Sequence, residues 1–303
     1  MNDPIPVIRT EGLTMRFGGK SAVNDMNLSL APGMTHAIVG ANGAGKSTLF
    51  RILLGFMQPT SGQAWILGCA SDALTPEIRG RIGFVNEEHT LPTWMRVEQL
   101  VELQKSHYAR WRQDTYDEVI GHFDVHARQR VGELSRGERA GVNLALCLAQ
   151  SPELLILDEP TLGLDVVAKR AFLEALLYPS TEQARTVLYC SHQMDEIERV
   201  ADNLIILERG SLRHMSPPDE FTAGIRYWIA DMPFRGPDPK IVPGLLQTQR
   251  IDGLHHYLVV DADDRFADFL KQQGARSMHC MPVSLDRAVN GFLAKGHRTP
   301  LAA

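Results

Sequence analysis

The stretch Gly40-Ala41-Asn42-Gly43-Ala44-Gly45-Lys46-Ser47 decides the fold. It has the G-x4-G-K-S/T spacing of a phosphate-binding loop. An apolar run, Met34 to Val39, precedes it and reads as a strand. Thr48 to Gly55 follows and reads as a helix ending at glycine. Glycines let the backbone curl so that successive N–H groups face a phosphate, and the helix N-terminus adds its dipole. Lys46 is placed to reach the β- and γ-phosphates, and the Ser47 hydroxyl to ligate Mg²⁺.

Working outward, Leu154-Leu155-Ile156-Leu157-Asp158-Glu159-Pro160 is an apolar run closed by two carboxylates. Such a run is a buried parallel strand, and its C-terminal end is where ligands bind in α/β sheets. Asp158 suits Mg²⁺ there, and Glu159 suits orientation or deprotonation of a water. Leu134-Ser135-Arg136-Gly137-Glu138 opens a helix, and Ser135 with Glu138 has the spacing of a capping box. A capped helix N-terminus is also an anion site. Ser191-His192 follows another apolar strand, Thr186 to Tyr189.

The remaining pattern divides the chain. Residues 5–11 and 23–30 read as strands, as do Gln63–Leu67, Ile82–Val85 and Leu204–Leu207. From about Val97 to Gln150 the pattern is helical, an inserted helical subdomain between strand-rich flanks. Leu154–Leu157 and Thr186–Tyr189 with the helix between them make a βαβ unit. Pro217-Pro218, with prolines at 233, 237, 239 and 243 after them, reads as a linker. Tyr257–Val260 and Ser277–Val283 (strands) with Arg265–Gln273 and Leu285–Leu293 (helices) then make a small α+β unit, and 297–303 reads as frayed.

Composition narrows the function classes. The 303 residues are 44% hydrophobic and 22% charged with a formal net charge of -5, ordinary for a globular protein of about two domains. That balance speaks against binding nucleic acid through bulk positive charge. No apolar run approaches the ~20 residues of a membrane span. The opening MNDPIPVIRT lacks a basic segment followed by an apolar one, so no secretory leader is expected. Cys69, Cys147, Cys190 and Cys280 have no CxxC spacing, which fits free thiols in a reducing compartment.

These motifs in this order resemble the ATP-binding cassette (ABC) ATPases over roughly residues 5–215. LSRGE resembles the signature segment usually written LSGGQ, with Arg136 and Glu138 as departures. Thr161-Leu162-Gly163-Leu164-Asp165 resembles the D-loop, His192 falls at the switch histidine, and Phe17 at the aromatic that stacks on adenine. Ile82-Gly83-Phe84-Val85-Asn86-Glu87 resembles the segment before the Q-loop, with Glu87 where glutamine is usual. The resemblance implies an α/β fold: a P-loop NTPase core of ABC type over residues 1–215, with a helical subdomain at about 93–150 and a small C-terminal α+β extension, 216–303. It implies ATP and Mg²⁺ as cofactors. Phe17, Gly40, Asn42, Gly43, Ala44, Gly45, Lys46, Ser47 and Thr48 would hold the nucleotide. Ser47, Asp158 and Glu87 would face the metal, and Glu159 and His192 would be catalytic. Ser135 and Gly137 would meet the nucleotide of a second cassette, in a homodimer or heterodimer.

The extension resembles that of bacterial ABC-2-type exporter ATPases, through Ser284-Leu285-Asp286 and the stretch Tyr108-Ala109-Arg110-Trp111. The implied function is the ATP-hydrolysing motor of an exporter, peripheral on the cytoplasmic face of the membrane, driving a separate transmembrane permease. The face around Glu87, Leu91, Pro92, Trp94 and Met95 is its candidate dock, although Trp94 and Met95 equally suit the core of the helical subdomain. The rival is a non-transport ABC ATPase acting on nucleic acid or the ribosome. It calls for a coiled-coil insertion or tandem cassettes, and neither is present here. A third reading makes the extension a ligand sensor, but His255, His256, His279 and Cys280 lack metal-ligand spacing.

Overall fold

The computed structural model describes residues 5–177, 185–233, 235–261 and 265–296, so the stretch read as frayed lies outside the described residues. The chain divides into two compact units, residues 1–192 with 199–215, and residues 193–198 with 216–303.

The first unit opens with an antiparallel hairpin, β1 (Ile8–Phe17) and β2 (Lys20–Leu30), turning at Gly18. Both strands run longer than the sequence reading of 5–11 and 23–30. The register shifts between Thr10 and Leu13 and again around Met15, with Gly12 and Asp25 in the left-handed region. Such bulges break the alternation that marks a strand, leaving the polar Glu11 and Asp25 exposed in mid-hairpin. Then follow β3 (Thr35–Val39), α1 (Lys46–Leu53), β4 (Ser61–Ile66) and β5 (Cys69–Ala70). The first sheet has the order β2-β1-β4-β5 and is antiparallel in every pair.

After α2 (Pro76–Arg79) come β6 (Ile82–Val85), α3 (Val97–His107), α4 (Gln113–Ile120), α5 (Arg136–Ala149), β7 (Leu154–Asp158), α6 (Val166–Leu176), β8 (Thr186–Cys190), α7 (Met194–Val200), β9 (Asn203–Glu208) and β10 (Ser211–Ser216). The second sheet has the order β10-β9-β3-β8-β7-β6, and β9, β3, β8, β7 and β6 pair parallel along it. β7 is apolar from Leu154 to Leu157 because both of its faces are covered there. Leu154 and Ile156 pack in a core with β1, β2 and α1. Leu155 and Leu157 pack in a core with α3, α4, α5 and α6. The helical segment therefore shares one continuous core with the sheet, and α5 is buried without a break from Ala140 to Ala149.

The second unit contains α8 (Pro218–Ala223), β11 (Ile225–Asp231), β12 (Leu245–Ile251), β13 (Leu254–Val260), α9 (Phe266–Gln272), β14 (Ser277–Met281) and α10 (Leu285–Gly296). Its sheet has the order β12-β13-β11-β14, antiparallel in every pair. The linker reading of the first two prolines is corrected here. Pro217 caps α8 and Pro218 is its first residue, where the missing N–H costs nothing. β11, absent from the sequence reading, is an inner strand. Its Trp228 packs with Tyr257, Phe266 and Leu270, and with both faces partly covered it shows no clean alternation.

Candidate functional site

Strand register assembles the site. β3, β8 and β7 run parallel, with Ile38 opposite Cys190 and Cys190 opposite Asp158. The chain segments leaving these three strands, beginning at Gly40, Ser191 and Glu159, therefore emerge side by side at one edge of the sheet. This is the C-terminal edge, where α/β sheets bind ligands.

The loop from Gly40 has the shape its composition predicts. Gly45 caps α1 at φ 101, and a Cβ there would lie 2.2 Å from the Ala22 carbonyl oxygen. A Cβ on Gly40 would lie 2.4 Å from the Leu207 carbonyl oxygen. Gly43 is left-handed, Ala44 is buried, Asn42 and Ser47 are exposed and Thr48 is half-buried. Lys46 Nζ donates to the Gly40 carbonyl at 2.7 Å, so the ammonium lies back along the loop it would share with a phosphate.

Asp158 and Ser47 are hydrogen-bonded. Burial pushes the Asp158 carboxyl above its ordinary pKa, while hydrogen bonds from Ser47 and Cys190 and the charge of Lys46 oppose this. A carboxylate and a hydroxyl beside a phosphate loop form a hard-oxygen donor set. That set suits Mg²⁺, which takes one or two protein ligands and completes its shell with phosphate and water. Among the described residues no cluster of three or more His, Cys, Asp or Glu forms a metal cage, in the second unit or elsewhere. Glu87 joins Ser47 and Asp158 in lining a cavity of about 310 Å³, together with Phe50, Arg51 and Phe84.

Glu159 has φ 50, a left-handed conformation that costs a non-glycine residue about 1–3 kcal/mol. It is held from two sides. Its N–H donates to the Cys190 carbonyl at 3.0 Å, and its Oε2 lies 2.7 Å from His192 Nδ1. The Cys190 thiol donates to Glu159 Oε1 at 3.7 Å. Burial with two neighbouring carboxylates pushes that thiol's pKa far up, so it stays protonated and donates.

The other candidates lie elsewhere in the first unit. Phe17, at the end of β1, is 51% exposed. Ser135 caps α5 in a complete capping box, accepting from the Glu138 N–H at 3.2 Å and donating its own N–H to Glu138 Oε2 at 2.7 Å. Glu138 is thus a good substitute for glutamine in the cap. Gly137 has a packing reason as well, since a Cβ would lie 2.6 Å from Ala168 Cβ on α6. Arg136 donates to the Glu87 carbonyl at 3.3 Å, and its guanidinium lies 2.9 Å from where a Gly163 Cβ would be. Of the candidate dock, Leu91 and Met95 pack against the core of α3 to α5, whereas Trp94 is 75% exposed.

Two residues were not singled out for the site from sequence. Cys190 stood among the free thiols, and its register opposite Asp158 places it at the carboxylates. His89 is 1% exposed, and its Nε2 lies 2.8 Å from the carbonyl oxygen of Pro160. Burial, opposed by that hydrogen bond, lowers its pKa to about 4. The only signal in the sequence was its place two residues after Glu87.

A family model described as ABC transporter matches residues 23–162. The chain is 35% identical to Nod factor export ATP-binding protein I of Rhizobium johnstonii, over 66% of this chain and 65% of that protein. It is 30% identical to ferric enterobactin transport ATP-binding protein FepC of Escherichia coli (strain K12), over 80% of this chain and 96% of that protein. CbiO1 of Clostridium perfringens, part of the ABC transporter complex cbiONQ, superposes with a TM-score of 0.61 at 26% identity, over 71% of this chain and 90% of that one. The family match covers the loop, the capped α5 and the β7 carboxylates, and the likeness to FepC runs almost the whole length of that protein. The chain therefore belongs to the family of ABC transporter ATP-binding proteins.

Proposed function

We propose that the chain is the ATP-hydrolysing subunit of an ABC transporter, and that the transporter is an exporter. The observation that carries the hydrolytic reading is the Glu159–His192 pair, 2.7 Å apart, at the strand end beside the Lys46 loop and the Ser47–Asp158 contact. In this reading the loop amides from Gly40 to Thr48, with the side chains of Asn42 and Lys46, hold the triphosphate, and Phe17 stacks on adenine. Ser47 and Asp158 hold Mg²⁺, with Glu87 within reach along the cavity wall. The ion, when bound, neutralises charge on the β- and γ-phosphates. Glu159 accepts the proton of the attacking water, held for that task by His192, which also donates toward the γ-phosphate. Fixed N–H dipoles around the phosphate carry much of the barrier lowering, because they need no reorganisation as charge shifts.

The partners follow from the same reading. Ser135 and Gly137 complete the site of a second cassette, identical or related. Among the described residues no helix is long and apolar enough to cross a membrane. The permease is read as a separate polypeptide, as the likeness to transporter ATP-binding proteins suggests, with the exposed Trp94 and the Glu87–Pro92 segment as its dock. In this reading the chain works at the cytoplasmic face of the membrane. Export is supported by the likeness to a Nod factor export protein and by the C-terminal extension. The test is Glu159→Gln. Mg-ATP binding is expected to persist while phosphate release falls about 10²–10⁴-fold, the usual worth of a positioned general base. Hydrolysis within threefold of wild type would contradict the assignment.

A further inference from the structure

We infer that His89 is a positioning residue for the hydrolytic step, holding the Glu159 turn through the carbonyl of Pro160. The inference rests on the reading of Glu159 as the general base and adds to it a buried residue that acts through the backbone beside it.

Three observations carry it. Glu159 sits at φ 50, so its backbone needs fastening from outside. One fastening lies upstream of its Cα, the Glu159 N–H to the Cys190 carbonyl at 3.0 Å. Two more lie downstream: the Glu159 carbonyl accepts from the Leu162 N–H at 3.1 Å, and one residue further on the Pro160 carbonyl is taken by the side chain of His89, whose Nε2 lies 2.8 Å away. A carbonyl only accepts, so Nε2 carries the proton and Nδ1 is the bare nitrogen. His89 Nδ1 is buried with no hydrogen-bond partner among the described residues. A buried polar atom left without a partner is costly. A histidine kept here at that cost points to the single bond that its other nitrogen makes.

The bond also joins two segments that both serve the nucleotide. His89 itself is left-handed, at φ 47, two residues beyond Glu87. The N–H of His89 donates to the Asn86 carbonyl at 3.2 Å, closing a tight turn that includes Glu87. Arg136 donates to the Glu87 carbonyl at 3.3 Å, and its guanidinium lies alongside Gly163, three residues beyond Pro160. A shift of the Glu87 turn is thereby passed to the residues just after Glu159. The path is one hydrogen bond long.

The test compares His89→Gln with His89→Asn in the full chain. The glutamine amide nitrogen falls near the Nε2 position and can donate to Pro160, whereas the shorter asparagine cannot reach it. His89→Asn is expected to lower kcat by about tenfold or more with KM for ATP within about threefold, and His89→Gln to restore most of it. Equal activity of the two variants would overturn the inference. So would a loss shared equally between kcat and affinity for a non-hydrolysable Mg-ATP analogue. Glu159→Gln is run beside them. If it still hydrolyses ATP, the general-base reading fails and the inference with it. If it is inactive while His89→Asn matches wild type, the inference alone fails. Should neither His89 variant fold, nitrogen NMR of the wild-type imidazole decides. A neutral ring protonated at Nε2, with a slowly exchanging proton, supports the bond, and a ring protonated at Nδ1 overturns it.

Discussion

Phe17 ends β1 with about half of its surface exposed, outside the core that β1 and β2 share with α1. A large exposed aromatic is suited to stacking on a base, an interaction worth about 1–3 kcal/mol. Phe17→Ala is expected to weaken ATP binding on that scale and Phe17→Tyr to preserve it, measured by calorimetric titration with a non-hydrolysable analogue. Equal affinity in wild type and Phe17→Ala would remove the stacking role. At this scale the sequence was most legible where chemistry demands a local pattern. The loop from Gly40 to Ser47, the Asp158-Glu159 pair and Ser191-His192 are each contiguous. His89 and Cys190 were hidden because their partners are 71 and 31 residues away in the chain, and no local spacing encodes such a contact.

Among the elements, β7 is fixed at its start as well as at its carboxylate end. Arg81, just before β6, makes a bidentate pair with Glu153 at 2.9 and 2.6 Å, and Arg110, between α3 and α4, adds a bond at 2.8 Å. Glu153 immediately precedes β7, so the three side chains tie the sheet edge to the helical segment. The hydrogen bond from Arg81 holds the Glu153 carboxyl below its ordinary pKa, with Arg110 adding to the effect. A carboxyl whose folded pKa is depressed contributes stability above its unfolded value, near 4.5, and loses it as the pH falls through the folded value. Glu153→Gln is expected to cost about 1 kcal/mol at pH 7, the scale of a partly exposed charged pair. The difference between variant and wild type should close as the pH falls below about 4.5. Urea unfolding at pH 7 and pH 4 checks this, and a pH-independent difference would show that shape, not charge, is what the residue supplies. The strands at the sheet centre were legible from their apolar runs. The hairpin β1–β2 was only half legible because bulges interrupt its alternation, and β11 was not, because burial on both faces and nearby prolines hid it.

At the scale of the whole molecule, the chain carries one phosphate loop, one carboxylate strand and one capped α5, all in the first unit. The second unit holds none of them; its last strands and helices were legible in the sequence, but its sheet order was not. One set of motifs per chain, with the Ser135 cap bonded to Glu138 within its own helix, fits sites completed between two copies. Mixing Lys46→Ala protein with Ser135→Ala protein is therefore expected to recover part of the activity that each lacks alone, because one site in each mixed pair has both residues intact. Phosphate release from the mixture checks this, and a mixture no more active than its parts would speak for self-contained sites. The account stands most directly on what Glu159→Gln does with Mg-ATP. Light scattering of that variant is expected to give twice the chain mass when Mg-ATP is present and the single chain mass with Mg-ADP, since the step that reopens the pair is blocked. A variant that binds Mg-ATP and remains at the single chain mass would contradict it.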